Sequence, residues 1–197
     1  MSKYHLAHCI PGPRMHGLNG YKEVIETVNW GLEQLGHRVT YAVNLFANDA
    51  INIIFGAQVV PVDVLEQLPK ESIIYNFEQM RGLGPSRIRQ EMQYYAANFR
   101  IWDYSAANLQ AWSSLGQTRV RVVPVGYAPI LSRIPRAPDQ DIDVLLYGLA
   151  GQHRLAAFDA LSQSGLCTVF VSGLYGPARD NLISRSKLVL NINLYRL

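Results

Sequence analysis

Three side chains have the chemistry of a general base, and each follows a segment with the composition of a β-strand. His16 lies in the loop PGPRMHGLNG, which comes after the apolar segment YHLAHCI. Glu78 ends the run SIIYNFE, and Asp103 lies at the tip of IWDYS. An imidazole or a carboxylate in such a place can accept a proton from a substrate hydroxyl. A solvated histidine and carboxylates that only anchor their loops are the plainer alternatives, and both stay open.

A second set of residues has the chemistry of a loop that binds phosphate or sugar groups. Glycine lets the backbone approach a ligand closely, a helix N-terminus favours an anion, and arginine matches phosphate oxygens. The set comprises Gly17, Gly20, Gly148, Arg154, Gly173 and Tyr175. The first loop is not GxGxxG, so the dinucleotide fingerprint is absent. Ordinary turns between strands and helices are the alternative interpretation.

The segments that carry these residues alternate between strand and helix patterns. Apolar positions recur with the helical period from about residue 21 to 35, and Gly36 stands where a C-cap glycine belongs. Further strands are expected at HRVTYAVNLF, INIIFGA, SIIYNFE, IWDYS and RVRVVPVG, with helices at VDVLEQLP, at residues 86–99 and at AANLQAWSSLG, capped by Ser105. This alternation predicts an α/β fold with a parallel, Rossmann-like sheet. In such sheets ligands bind beyond the carboxyl ends of the strands.

The chain divides into a whole unit and a partial one. Residues 1–126 hold about six predicted strands, and residues 127–140 carry several prolines and form the predicted linker. Residues 141–197 hold only three strands, DIDVLLYG, CTVFVSG and LVLNINLY, with two helices between them. That unit is shorter than an independent domain of this type. A cut chain, a shortened gene and an extension of the first sheet are the three explanations.

Composition excludes several classes of protein. A net charge of +3 without a dense basic run argues against nucleic-acid binding. Cys9 and Cys167 lie in apolar runs and are expected to be buried thiols in a reducing compartment. The N-terminus lacks the apolar core of a signal peptide, so the protein is expected in the cytoplasm. Peripheral membrane contact and homo-oligomer formation stay open.

Metal and hydrolase motifs are missing from the sequence. His5 and His8 fall on opposite faces of a strand, which argues against a metal pair. CxxC, HExxH, P-loop and GxSxG patterns do not occur. These absences argue against zinc enzymes, kinases and α/β-hydrolases, and neither a metal ion nor a cofactor is expected.

Six segments resemble parts of GT-B glycosyltransferases, in particular bacterial glycosyltransferase-like proteins of surface-polysaccharide type. They are HGLNGYKEVIETVNWGLEQLGHRV, IIYNFEQ, IWDYSAANLQAW, VRVVPVGYAP, DVLLYG and SRSKLVLNINLY. The likeness extends over nearly the whole chain in order and spacing. It implies a metal-independent enzyme that transfers a sugar from a nucleotide-sugar donor to an acceptor hydroxyl.

The resemblance also assigns sides to the predicted site. Residues His16 to Gly20 would border acceptor and donor phosphates, and Gly148, Arg154 and Tyr175 would line the donor side. Two departures stand against full donor binding. The segment that would follow LVLNINLY, where such proteins carry an acidic residue that holds the donor ribose or sugar, is absent, and Asn193 stands where related sequences carry histidine.

The leading hypothesis is therefore a glycosyltransferase for polysaccharide or glycoconjugate synthesis. The alternative is a non-catalytic α/β binding or assembly subunit derived from one. A sugar-phosphate enzyme such as an epimerase is a third option, against which the missing GxGxxG argues.

Overall fold

The computed structural model describes residues 1–12, 20–80 and 90–192, which form two compact units. The first unit extends from Met1 to Ile130 and the second from Leu131 to Leu197. The change of unit falls inside the proline-containing stretch 127–140. Each unit contains its own parallel sheet.

The first unit is a doubly wound α/β sheet of six parallel strands. The strands are β1 (Lys3–His8), β2 (Arg38–Val43), β3 (Ile51–Phe55), β4 (Ile73–Asn76), β5 (Arg100–Asp103) and β6 (Val120–Val122). The helices are α1 (Lys22–Gln34), α2 (Val62–Glu66), α3 (Gln90–Asn98) and α4 (Leu109–Ser114). The predicted α/β class and the Rossmann-like parallel sheet are confirmed.

The strand order β2-β1-β3-β4-β5-β6 reverses direction between β1 and β3. The helix α1 buries Ile25 and Leu32 against Leu6 of β1 on one face of the sheet. The helices α2, α3 and α4 cover the other face, where Trp112 packs with Ile54 and its neighbours. A helix on each side of the reversal leaves a crevice at the carboxyl ends of β1 and β3.

Helix α1 ends as its sequence predicts. Gly36 has a φ of +78°, in the left-handed region that glycine adopts without strain. Its N–H donates to the carbonyl of Glu33, and the N–H of His37 donates to the carbonyl of Leu32. This pair of hydrogen bonds is the Schellman motif.

The second unit is a separate three-stranded parallel sheet in the order β8-β7-β9. Its elements are β7 (Ile142–Tyr147), α5 (Gln152–Gln163), β8 (Thr168–Val171), α6 (Gly176–Ser184) and β9 (Ser186–Leu190). Each of the three predicted segments contains a strand, and these strands do not extend the first sheet. Of LVLNINLY, residues 188–190 are strand and 193–195 lie outside the described residues. The central strand β7 supplies the buried core residues Ile142, Val144, Leu145 and Leu146.

Some sequence expectations need correction. Cys167 is exposed rather than buried, because it lies just before β8 at the edge of the small sheet. The strand β2 stops at Val43, because Asn44 takes a left-handed φ of +52° and bonds through its side chain to the backbone of Ile10. The predicted strand RVRVVPVG is regular over Val120–Val122 only.

Other expectations hold in part. Residues 106–108 form a 3-10 turn ahead of α4, and the Ser105 hydroxyl accepts the N–H of Ala107 as the predicted cap. Of the predicted helix 86–99, residues 90–98 are helical and 86–89 lie outside the described residues. Within the described part of the chain, no helix has the length and apolar character needed to cross a membrane.

Candidate functional site

Three polar side chains meet where the strand order of the first sheet reverses. Tyr21 is the N-cap residue of α1, Gln58 lies in the 3-10 turn after β3, and Glu78 follows β4. The Gln58 amide nitrogen donates to a carboxylate oxygen of Glu78 at 2.8 Å and to the Tyr21 hydroxyl at 3.4 Å. We call these three residues the switch-point cluster.

The groups of the cluster differ in exposure and in charge. Glu78 is exposed, whereas Tyr21 is half-buried. Burial raises the pKa of Tyr21; the hydrogen bond from Gln58 lowers it, and the negative charge of Glu78 raises it further. The phenol therefore stays protonated at neutral pH. The cluster presents a carboxylate that accepts hydrogen bonds beside a hydroxyl that also donates them.

Gly56 brings β1 and β3 together at this point. Its φ is +78°, and a Cβ atom there would lie 2.4 Å from the carbonyl oxygen of Cys9. The Cys9 N–H in turn donates to the carbonyl of Phe55 at 2.8 Å. No side chain can replace this glycine without moving the β1 terminus. Gly56 was not among the residues predicted from the sequence, although a glycine directly after an apolar strand is a signal for close backbone approach.

Asp103 lies in the interior, where its side chain is 0% exposed. Its carboxylate accepts hydrogen bonds from the Trp112 indole nitrogen at 2.6 Å and from the Ser105 N–H at 2.8 Å. The side-chain amides of Asn76, at 2.8 Å, and Asn108, at 3.1 Å, complete the set. A buried carboxylate is tolerated when donors surround it in this way. The placement gives Asp103 a positioning role, and its role as a base stays a prediction.

The network around Asp103 holds the backbone of Glu78. Asn76 accepts the N–H of Glu78 at 3.2 Å, and both Asn76 and Asn108 donate to the Glu78 carbonyl, at 3.0 and 2.9 Å. The Asn108 side-chain oxygen accepts the N–H of Met80 at 2.9 Å. The exposed carboxylate therefore stands on a rigid support, which is what a binding or catalytic group needs.

Aromatic rings adjoin the cluster on the α1 side of the sheet. The ring centroids of His8 and Tyr21 lie 5.6 Å apart in an edge-to-face arrangement. Phe77 lies 5.5 Å from Tyr21 and stacks on Tyr104 at 5.8 Å. Burial, reinforced by the charges of Asp103 and Glu78, raises the pKa of Tyr104. These rings give the site an apolar wall next to its hydrogen-bonding groups.

The second unit places Gly148 and Arg154 in direct contact. Gly148 has a φ of +126°, and a Cβ there would lie 2.6 Å from an arginine terminal nitrogen. The Arg154 side chain donates to the carbonyls of Leu149 and Ile192, both at 2.8 Å. The guanidinium thus ties the turn after β7 to the chain beyond β9. Phosphate binding by Arg154 stays a prediction beside this structural role.

The other predicted donor-side residues lie after β8. Gly173 has a φ of +72°, and Tyr175 is 37% exposed at the start of α6. Arg179, in the first turn of α6, was missed from the sequence; its guanidinium lies 6.0 Å from the Tyr147 ring centroid and pairs with Asp180 at 2.7 Å.

The predicted residues of the first loop are only partly described. His16 and Gly17 lie outside the described residues, whereas Gly20 is exposed immediately before α1. Of the candidate bases in the described part, the structure brings Glu78 and Asp103 into one network and leaves Glu78 accessible. Among the described residues no group of three or more His, Cys, Asp or Glu side chains is placed to hold a metal ion.

Comparison with known proteins gives a likeness of fold. No protein-family model matches the chain, and no curated protein matches it. A solved structure of AviGT4, a glycosyltransferase involved in avilamycin A biosynthesis, is similar over 96% of this chain and 69% of that chain. The two are 15% identical in sequence, and the TM-score is 0.46. A similarity of this size specifies no activity, which has to be proposed from this chain's own residues.

Proposed function

We propose that the protein is a glycosyltransferase that moves a sugar from a nucleotide-sugar donor to an acceptor hydroxyl. The observation that carries the proposal is the switch-point cluster, in which an exposed carboxylate, an amide and a phenol meet at the carboxyl edge of a parallel sheet. That edge is where sheets of this kind bind ligands.

Glu78 is the group best placed to act on an acceptor hydroxyl. Its carboxylate is exposed, and Gln58 fixes one of its oxygens from the side. In the proposed reaction the other oxygen takes the hydroxyl proton as the acceptor oxygen attacks the sugar carbon and the nucleoside diphosphate departs. The phenol of Tyr21 would orient the acceptor by hydrogen bonding.

Donor binding is proposed for the glycine turns of the second unit. Gly148 and Gly173 both have positive φ values at strand ends, and Tyr175 precedes the N-terminus of α6. A helix N-terminus suits a diphosphate. No metal ion and no cofactor enter this proposal, and the partners are the nucleotide sugar and the acceptor.

A second candidate function is that of a binding or assembly subunit that catalyses no reaction. One observation favours it: the Arg154 guanidinium already donates to two backbone carbonyls, which reduces what it can offer a diphosphate. Bacterial polysaccharide synthesis and a cytoplasmic location, with peripheral membrane contact or self-association, stay proposals for either candidate.

Thermal-shift titration with UDP-, GDP- and dTDP-sugars separates the two candidates. A glycosyltransferase should be stabilised by at least one of these donors, because a ligand that binds only the folded state raises the melting temperature. A subunit without donor binding should be stabilised by none.

A further inference from the structure

A cavity of about 520 Å³ lies in the first unit between α1 and the strands β1 and β2. Its volume is within the range of pockets that hold small molecules, about 300–1,000 Å³. None of the described residues that line it belongs to the sites predicted from the sequence or to the switch-point cluster.

The deep part of the cavity is apolar. Leu6 of β1 is 0% exposed and Ile25 of α1 is 5% exposed, and both line the cavity. Ile130 contributes a third apolar side chain and is more open to solvent. A ligand with an apolar body would leave water here, which favours its binding.

The charges on the wall cancel. Lys22 and Glu26 both line the cavity and lie four residues apart on α1, a spacing at which opposite charges attract. Among the described residues that line it, these two are the charged ones. The wall therefore favours an uncharged ligand over an anion or a cation.

Two neutral hydrogen-bonding groups complete the wall. Asn29 lies one helical turn beyond Glu26, and Tyr41 projects from β2. The Tyr41 hydroxyl lies 3.4 Å from Nδ1 of His8. Burial raises the pKa of Tyr41, so its hydroxyl keeps its proton at neutral pH. Amide and phenol groups both donate and accept hydrogen bonds, which suits a hydroxyl on the ligand.

The cavity adjoins the switch-point cluster through one residue. His8 contacts Tyr41 on the cavity side, and its ring packs edge-to-face on Tyr21 of the cluster at 5.6 Å. Leu6 and His8 are two residues apart on β1, or about 7 Å along the strand.

We infer that this cavity binds a neutral molecule with a ring-sized apolar body and a hydroxyl group that bonds to Asn29 and Tyr41. If the proposed function holds, this ligand is the acceptor, and its class is an apolar alcohol or phenol rather than a free sugar. The binding itself does not depend on sugar transfer.

Fluorescence titration with 2-naphthol, a neutral aromatic alcohol, tests the inference. The wild-type chain should bind 2-naphthol saturably and more tightly than the anion 2-naphthoate or glucose. Asn29→Trp fills the cavity and should weaken binding by about tenfold or more. Glu33→Trp, at an exposed position of the same helix, is the matched control and should bind as the wild type does.

Tyr41→Phe is a second variant that keeps the ring and removes only the hydroxyl. It should weaken 2-naphthol binding by about fivefold, the effect of one neutral hydrogen bond. The inference is overturned if binding is not saturable, if Asn29→Trp and Glu33→Trp bind equally, or if 2-naphthoate binds more tightly. If 2-naphthol binds as described but no nucleotide sugar stabilises the protein, the proposed function fails and the cavity site stands.

Discussion

Asp103 and Glu78 are joined by two asparagines that donate hydrogen bonds to both residues. The amide nitrogen of Asn76 lies 2.8 Å from the Asp103 carboxylate and 3.0 Å from the Glu78 carbonyl oxygen. The amide nitrogen of Asn108 lies 3.1 and 2.9 Å from the same two groups. The buried Asp103 carboxylate thus helps to fix the position of Glu78, whose carboxylate is exposed.

Asp103→Asn should destabilise the first unit, because an amide nitrogen would face the donors that now meet carboxylate oxygens. We expect the free energy of unfolding to fall by about 2–4 kcal/mol, as for a broken buried network. Urea denaturation followed by tryptophan fluorescence measures it. Asp63→Asn, at an exposed site on α2, should change the free energy of unfolding by only about a few tenths of a kcal/mol. A loss at Asp103 as small as that at Asp63 would contradict the positioning role.

Gly56→Ala should lower the free energy of unfolding more than Gly116→Ala does. Both glycines have positive φ values, +78° and +73°, so both alanines carry the left-handed strain of about 1–2 kcal/mol. Only at Gly56 does the added Cβ also meet the Cys9 carbonyl, at 2.4 Å. Gly116 has nothing within 4 Å. Chemical denaturation should therefore show a larger loss of unfolding free energy for Gly56→Ala than for Gly116→Ala. Equal losses would contradict the close approach of β1 and β3.

Arg154→Ala should loosen the second unit around the carbonyls of Leu149 and Ile192. Hydrogen exchange of the amides near the β7 turn and the β9 terminus should accelerate. Arg154→Lys is the matched variant, because lysine keeps the charge but has no guanidinium fork to reach both carbonyls. If Arg154 acts only as a phosphate ligand, lysine should retain nucleotide binding and exchange should stay unchanged in both variants.

The two cysteines should differ sharply in reactivity. Burial raises the pKa of Cys9 to about 12, whereas Cys167 is exposed. A disulfide reagent at pH 8 should modify one thiol of the folded wild-type protein and no thiol of folded Cys167→Ser. After denaturation it should modify both thiols of the wild type. Rapid modification of Cys9 in the folded state would contradict its burial.

The shifted pKa of Cys9 also has a consequence for stability at high pH. Because its folded pKa lies above the ordinary value of 9.0, the unfolded chain loses this proton first. The contribution to stability is complete below pH 9 and is lost as the pH rises toward 12. Cys9→Ala should remove this part of the alkaline dependence.

Local patterns predicted most of the fold. The apolar stripe from Tyr21 to Leu35 and the glycine at position 36 specify α1 and its end, because periodicity and a positive φ are properties of neighbouring residues. Asn44 is a position whose structure local sequence patterns do not predict. Its left-handed turn depends on hydrogen bonds with Ile10, which is distant in sequence.

The candidate site was predictable only in part. Their places at strand ends identified Glu78 and Asp103 as candidate site residues. The burial that separates their roles depends on Trp112 and on the two asparagines that the fold brings to Asp103. Gln58 carries no local signal, since its partners Tyr21 and Glu78 are 37 and 20 residues away. The burial of Cys9 was predicted correctly; the exposure of Cys167 was not, because its sheet is small.

The most direct measurement is release of nucleotide from UDP-, GDP- and dTDP-sugars by wild type, Glu78→Gln and Glu71→Gln, with 2-naphthol as the acceptor. Glu78→Gln keeps the size of the side chain and removes its basicity, and Glu71 is an exposed glutamate before β4. The account predicts acceptor-dependent release by the wild type with at least one donor. It predicts a fall of about 100-fold or more in Glu78→Gln and wild-type rates in Glu71→Gln. No release from any donor, or equal rates in Glu78→Gln and wild type, would contradict it.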